Sequence, residues 1–175
     1  PALQKGSVLI GGSMAINLGN QNYEYSSQTN KTKLNSFQFT PEIGFFAGNG
    51  FVLGLSLDYN TEKQKYNQYG NDNKTTSTQY LAGPFIRLYT KGGLFFMGNY
   101  SFGKTIYKYS YSGVSEKEEA TTSKWKLGVG YAAFLNEHVA LEPSVSYQGN
   151  SLKEDDSDSD FTVNTGQIVI GLGLS

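Results

Sequence analysis

The sequence predicts an all-β chain: one domain over residues 1–175, folded as an eight-stranded antiparallel up-and-down barrel. Three observations carry this. In Ser7-Val8-Leu9-Ile10-Gly11-Gly12-Ser13-Met14-Ala15-Ile16-Asn17-Leu18 the even positions are mostly large and apolar, while the odd ones are mostly small and carry no charge. Three short turns, Ala47–Gly50, Thr90–Gly93 and Leu135–His138, are flanked on both sides by the same period-two alternation. Aromatic residues end the apolar stripe on six strands. Composition agrees: Tyr 13, Phe 11, Gly 21 and Pro 4 favour strands and turns over helices.

The elements follow in order. The stretch quoted above is the first strand. Around the first turn, facing residues are expected to be Phe37/Tyr59, Phe39/Leu57, Pro41/Leu55, Ile43/Leu53 and Phe45/Phe51. Around the second they are Tyr80/Phe102, Ala82/Tyr100, Pro84/Gly98, Ile86/Phe96 and Leu88/Leu94. Around the third they are Trp125/Tyr147, Leu127/Val145, Val129/Pro143, Tyr131/Leu141 and Ala133/Val139. A last strand around Gly166–Leu174 sets Ile168, Ile170, Leu172 and Leu174 on one side. The polar stretches near Gln21–Lys33, Thr61–Ser77, Ser110–Thr122 and Gly149–Asp160 are predicted as long loops. Tight turns then alternate with long loops, and both chain ends fall on the tight-turn side. Pro41, Pro84 and Pro143 lie mid-strand on the apolar face, so a bulge or a missing hydrogen bond is expected at each.

Bulk numbers narrow the function. Net charge is -1, which leaves no basic field for nucleic acid. Cysteine is absent, which removes disulfides and thiolate chemistry. Mean hydropathy is -0.41. No apolar run approaches the ~18–20 residues of a membrane helix, but barrel strands hide their apolar face from such averages. The start Pro1-Ala2-Leu3 is expected for a mature chain whose signal peptide has been removed.

Two barrels could use this pattern. In a soluble cup the apolar face turns inward, and the nearly uncharged Gly/Ser/Ala face meets water. The lumen must then hold every Phe, Tyr, Leu and Ile of the stripes. With the faces reversed, small residues fill a narrow interior and large apolar ones meet lipid. The aromatics decide between them. Phe37, Tyr59, Tyr80, Phe102, Trp125 and Tyr147 share one distance from their hairpin centres, and beyond them the chain turns polar. That is an aromatic girdle where lipid meets water. The fold class is therefore an eight-stranded transmembrane β-barrel.

Phe39-Thr40-Pro41-Glu42-Ile43-Gly44-Phe45-Phe46 and Leu135-Asn136-Glu137-His138-Val139-Ala140-Leu141-Glu142-Pro143 carry a family resemblance. The whole chain resembles the small outer-membrane barrels of the OmpA/OmpX type, especially the outer-membrane β-barrel domains common in Bacteroidota. It departs from them in ending Gly173-Leu174-Ser175, where many such barrels end in an aromatic residue. The resemblance implies a Gram-negative outer membrane, periplasmic termini and extracellular long loops.

Four constellations are candidates for function. Glu42, Arg87 and Glu142 toward the tight turns, with Asp58, Lys124 and Lys126 nearer the loops, form an interior charge network. It is expected to be a salt-bridge plug, the alternative being a gate that opens a small conduit. The acidic run Glu154–Asp160 reads as a solvated loop or a weak divalent site. It is no EF-hand, because Phe161 and Gln167 fall where Gly and a carboxylate are needed. Tyr107, Tyr109 and Tyr111, with Tyr23, Tyr25, Tyr66 and Tyr69, form either a partner surface or a stiff hairpin without one. The sole histidine, His138, lies in a tight turn. The resemblance includes lipid A-modifying barrels that use a His near the outer leaflet, and His138 is at the opposite end. No catalytic residue, cofactor or metal is assigned. The expected function is a non-enzymatic structural or accessory protein among outer-membrane lipid and lipopolysaccharide. It would act through its loops or lipid-facing wall, within a larger outer-membrane transport, secretion or assembly complex. A narrow channel ranks second and a lipid A-modifying enzyme third.

Overall fold

A computed structural model describes the backbone of residues 3–25, 28–68, 71–111, 114–154 and 162–175. Side chains are described for these residues except 17–25, 28–34, 66–68, 71–73, 111, 114, 154, 162 and 163. The acidic run and the side chains of Tyr23, Tyr25, Tyr66, Tyr69 and Tyr111 thus lie outside the described residues.

Alternation produces long strands: β1 (Val8–Tyr25), β2 (Gln28–Gly48), β3 (Phe51–Gln68), β4 (Asn71–Tyr89), β5 (Leu94–Tyr111) and β6 (Val114–Tyr131). They continue with β7 (Ala133–Phe134), β8 (Ala140–Glu154) and β9 (Thr162–Leu174). All pair antiparallel in one sheet, in the order β6-β5-β4-β3-β2-β1-β9-β8-β7. β6 also pairs with β8, so the sheet curls into a near-barrel. The join between β1 and β9 is the shortest of those between long strands, with Gly12 facing Leu174 and Ser13 facing Gly173.

One expectation is met in its coarser form and two need correction. The sheet is an antiparallel near-barrel as expected, with nine strands where eight were expected. The extra one, β7, arises because the β6–β8 ladder stops at Gly130/Ser144, next to Pro143, and resumes at Ala133/Leu141. Between them Ala132 donates its N–H to Gly93 O at 2.7 Å.

The stretches read as long loops are mostly strand, since β1, β2, β3, β4, β5, β6 and β8 run far into them. Thr, Gln, Lys and Tyr sustain a ladder outside lipid as well as inside, so polarity marks the end of the apolar band, not of the strand.

The register of every tight hairpin is shifted by two residues from the expected pairs. Phe39 faces Tyr59 and Phe45 faces Leu53. Ala82 faces Phe102 and Leu88 faces Phe96. Leu127 faces Tyr147 and Ala133 faces Leu141. Turn chemistry explains the shift. β2 and β3 close at Gly48/Phe51 over Asn49-Gly50, with φ of 74° at Gly50 and a bulge between Phe46 and Gly48. The β4–β5 turn is closed by Thr90 N–H to Leu94 O at 2.7 Å. In the third turn Asn136 Oδ1 accepts from the N–H groups of His138 and Val139, at 2.8 and 2.9 Å. A shift of two preserves which face each side chain occupies.

Exposure separates the two faces. Ile10, Ile16, Leu55, Phe102, Leu127, Ile168 and Ile170 are exposed, Ile170 to 81%. Inside, the turn end of the barrel holds two apolar clusters: Leu9, Phe46, Val52 and Phe85, then Phe95, Ala132 and Ala140. Glycines make room for the inward rings. A Cβ on Gly54 would lie 2.5 Å from Phe85, and one on Gly130 would lie 2.4 Å from Phe95.

Candidate functional site

The interior is the candidate site. β4 projects Arg87 inward on the parity of Gly83 and Phe85, and the guanidinium meets a carboxylate from each side. Its Nη1 donates to Glu142 Oε2 of β8 at 2.6 Å, and its Nη2 donates to Glu42 Oε2 of β2. Arg87 Nη1 also donates to the Tyr89 hydroxyl at 3.1 Å. That hydroxyl donates to Glu142 Oε1 at 2.8 Å, as does Ser175 Oγ at 2.8 Å. Arg87 Cζ lies 5.5 Å from the Phe85 ring centre and 5.3 Å from that of Phe95. The ion triad is therefore clamped between aromatic faces, where planar, weakly hydrated guanidinium fits better than an ammonium.

Farther toward the long hairpins, Lys124 of β6 pairs with Asp58 of β3, both nearly fully buried. Asp58 Oδ1 has no hydrogen-bond partner. Lys126, one inward position from Lys124, forms no ion pair or hydrogen bond among the described residues. It sits half-buried in the combined field of Glu42, Asp58, Lys124 and Arg87. Three carboxylates and three cations thus balance in charge.

Several residues the sequence reading did not single out complete the interior. The β4–β5 ladder jumps from Ala82/Phe102 to Phe85/Asn99, leaving Gly83 and Pro84 unpaired on that side. Asn99 Nδ2 donates to Pro84 O at 3.2 Å and to Ser56 Oγ at 2.7 Å, and Ser56 Oγ donates to Gly83 O at 3.3 Å. Ser101 Oγ donates to Asn99 Oδ1 at 2.9 Å. Thr105 and Thr122 share a hydroxyl contact of 2.7 Å. The β2–β3 ladder has a similar jump, from Phe39/Tyr59 to Glu42/Ser56, at Pro41. The signal for these polar residues was their inward parity combined with proline on the neighbouring outward position.

On the outer face, Phe37 and Tyr59 ring centres are 6.3 Å apart, Tyr59 and Tyr80 5.3 Å, and Trp125 and Tyr147 5.5 Å. Trp125 lies over Gly149 and the Tyr147 hydroxyl over Gly166. Phe102 is exposed. Tyr107 and Tyr109 stack at 6.4 Å and 14°. Their parity is that of Thr105, so they lie over the barrel interior, not along its outer wall. His138 is exposed in its turn, and no group of His, Cys, Asp or Glu suited to a metal occurs among the described residues.

An antiparallel near-barrel with exposed apolar stripes outside and paired charges inside defines a small outer-membrane β-barrel protein. The chain belongs to the family described as the outer membrane protein beta-barrel domain, which matches residues 2–175. Among solved structures it is similar to Neisserial surface protein A, with 16% identity and a TM-score of 0.53 over 95% of this chain and 94% of that one. It is also similar to Ail, the attachment invasion locus protein of Yersinia pestis, crystallised with the heparin analogue sucrose octasulfate. There the identity is 18% and the TM-score 0.53, over 98% of this chain and 97% of that one. These likenesses show the fold. No curated protein sequence matches the chain.

Proposed function

We propose that the chain is a single-domain, eight-stranded outer-membrane barrel of the Bacteroidota type, β7 counting as the resumed end of β6. It acts as a non-enzymatic structural or accessory protein. The tight turns and both termini face the periplasm, and the long hairpins project outside. Phe37, Tyr59, Tyr80, Phe102, Trp125 and Tyr147 anchor the barrel at the outer lipid–water boundary. The network of Glu42, Asp58, Arg87, Lys124, Lys126 and Glu142 is a structural plug. Tyr107, Tyr109 and Tyr111, on the parity that faces over the barrel mouth, form a contact surface at the outer end for a larger outer-membrane transport, secretion or assembly complex.

One observation supports this most. Arg87 bridges Glu42 and Glu142 between the inward rings of Phe85 and Phe95, which leaves a cavity of only about 50 Å³ beside Lys126 and Gln148. A barrel of about eight strands has only enough interior for side chains. What such a protein can offer a partner is its outer surface.

Planar-bilayer recording tests the plug. The reconstituted chain is expected to be silent, and discrete conductance steps would replace this reading with the narrow channel. Affinity purification from native membranes in mild detergent tests the accessory role. Co-purification of one outer-membrane complex is expected, and recovery of the barrel alone would remove it.

A further inference from the structure

The outer face above the girdle carries lysines in an arrangement that folding alone does not favour. On the outward parity, Lys65 of β3 stands directly opposite Lys74 of β4, and Lys108 of β5 directly opposite Lys117 of β6. Register also sets Lys33 of β2 opposite Lys65. Lys63 and Lys108 flank Thr76 on its two sides. Like charges directly opposite across a ladder are destabilising. A net charge of -1 shows that carboxylates were available. On these same strands Glu62, Glu116 and Glu118 take the inward parity, while Glu119 of β6 and, by register alone, Asp72 of β4 take the outward one. Glu119 is engaged by Lys117 at 2.6 Å and Lys104 at 3.3 Å. Among the described residues, Lys63, Lys65, Lys74 and Lys108 are exposed and have no ion-pair partner. Lys74, Thr76, Lys108, Ser110, Glu116 and Lys117 are among the residues that line one hollow, three cations to one acid.

Position identifies what would neutralise them. The lysines continue the same face that carries Leu55, Leu57, Ile86 and Phe102. Lys63 lies four residues beyond Tyr59, and Lys65, Lys74 and Lys108 lie six beyond the aromatic of their own strand. At about 3.3 Å per residue and a tilt near 45°, this is roughly 9–14 Å above the girdle, the zone of lipid headgroups. Flexible lysine stems reach several ångströms farther.

The geometry points to a binding surface on β3–β6 for the phosphorylated saccharide headgroup of an outer-leaflet glycolipid, with Lys63, Lys65, Lys74 and Lys108 as its phosphate contacts. The surface rests on the membrane reading above and adds a specific ligand class to it. Clustered like charges are tolerated because the bound anions offset them, and the lipid gains a fixed orientation on one side of the barrel. The shared ligand chemistry is phosphate, from lipid or from solution.

The test uses the full chain folded in zwitterionic detergent, with the thermal unfolding midpoint read by heat-modifiable gel mobility. Probes are rough-type lipopolysaccharide, the same preparation after dephosphorylation, inorganic phosphate and heparin. Phosphorylated lipopolysaccharide is expected to raise the midpoint, dephosphorylated material and inorganic phosphate to do little. In the variant Lys63→Gln/Lys65→Gln/Lys74→Gln/Lys108→Gln, the apparent affinity is expected to fall roughly 10-fold or more. Without lipid its midpoint is expected to equal or exceed that of the parent chain, because repulsion has been removed. Equal responses of parent and variant, or to dephosphorylated lipid, would overturn the proposal, as would a heparin response larger than the lipid response. If the variant does not fold, the parent chain decides alone: its lipopolysaccharide affinity must drop steeply with added salt, and a flat salt response overturns the proposal. A chain that folds and stays dispersed without detergent would instead overturn the membrane reading itself.

Discussion

Replacing Arg87 by Met removes the cation of the interior triad while keeping an unbranched side chain of similar reach. Glu42 and Glu142 would then face each other with side-chain exposures of only 6% and 4%. Removing one partner of a buried pair costs about 3–5 kcal/mol, because a charge is left without compensation. Here two carboxylates are left, and the hydrogen bond from Arg87 to Tyr89 is lost as well. The expected loss for R87M is therefore at the upper end of that range. Glu42→Gln/Arg87→Met/Glu142→Gln removes all three charges, and its loss should be no more than about 1–2 kcal/mol, since replacing a whole buried ion group is often close to neutral. The assay is urea unfolding in detergent micelles, followed by intrinsic tryptophan emission. Because the triad is shielded from ions, the R87M deficit should barely change with salt. A deficit below about 1 kcal/mol in R87M, or a triple variant no more stable than R87M, would refute the claim that Arg87 neutralises two buried carboxylates.

Three further outcomes are expected. Gly130→Ala puts a Cβ 2.4 Å from the Phe95 ring, which should cost about 1–3 kcal/mol by urea unfolding and be partly relieved by adding Phe95→Leu. Trp125 is the only tryptophan, so its emission in nanodiscs reports the girdle directly. Lipids brominated near the headgroup should quench it more than lipids brominated at the chain terminus, and the reverse order would move the boundary. Lys124→Met leaves Asp58 buried and unpaired and should destabilise the fold by about 3–5 kcal/mol, whereas Lys126→Met, whose parent residue has no direct partner among the described residues, should cost much less. Equal losses would place Lys126 in the pairing scheme.

The faces were legible in the sequence because a period of two is written residue by residue. Ile10, Leu55 and Ile170 outside and Glu42, Arg87 and Glu142 inside follow from parity alone. Register was less legible, because sliding a hairpin by two residues leaves every face unchanged and hydrophobic patterning cannot detect it. Only turn chemistry selects the register: the positive φ of Gly50, and the two N–H groups gathered by Asn136 Oδ1. Strand ends were misread for a related reason. Lys63, Thr76 and Lys108 remain in the ladder well beyond the aromatics, because backbone pairing does not require an apolar side chain. The inward Phe85 and Phe95 were hidden by the same alternation that placed glycines beside them. Gly54 and Gly130 read as small interior residues, while the rings they accommodate sit on neighbouring strands.

The outward prolines and the inward polar cluster are one device. A backbone carbonyl left unpaired at membrane depth has no water to turn to, so a proline on the lipid face creates a demand that only an interior side chain can meet. Continuing the β4–β5 register across its gap would set Pro84 opposite Tyr100. Proline offers no N–H there, and Asn99 and Ser56 bond the carbonyls of Pro84 and Gly83 instead. The two features should therefore be coupled. Asn99→Ala in the parent chain orphans Pro84 O and releases Ser56, at a cost of about 1–3 kcal/mol. Pro84→Val restores the N–H and lets the ladder close, so in that background Asn99→Ala should cost at least about 1 kcal/mol less. A double-mutant cycle by urea unfolding measures the difference. If Asn99→Ala costs the same with proline or valine at position 84, the interior amide has a separate purpose and the gap is satisfied by other means.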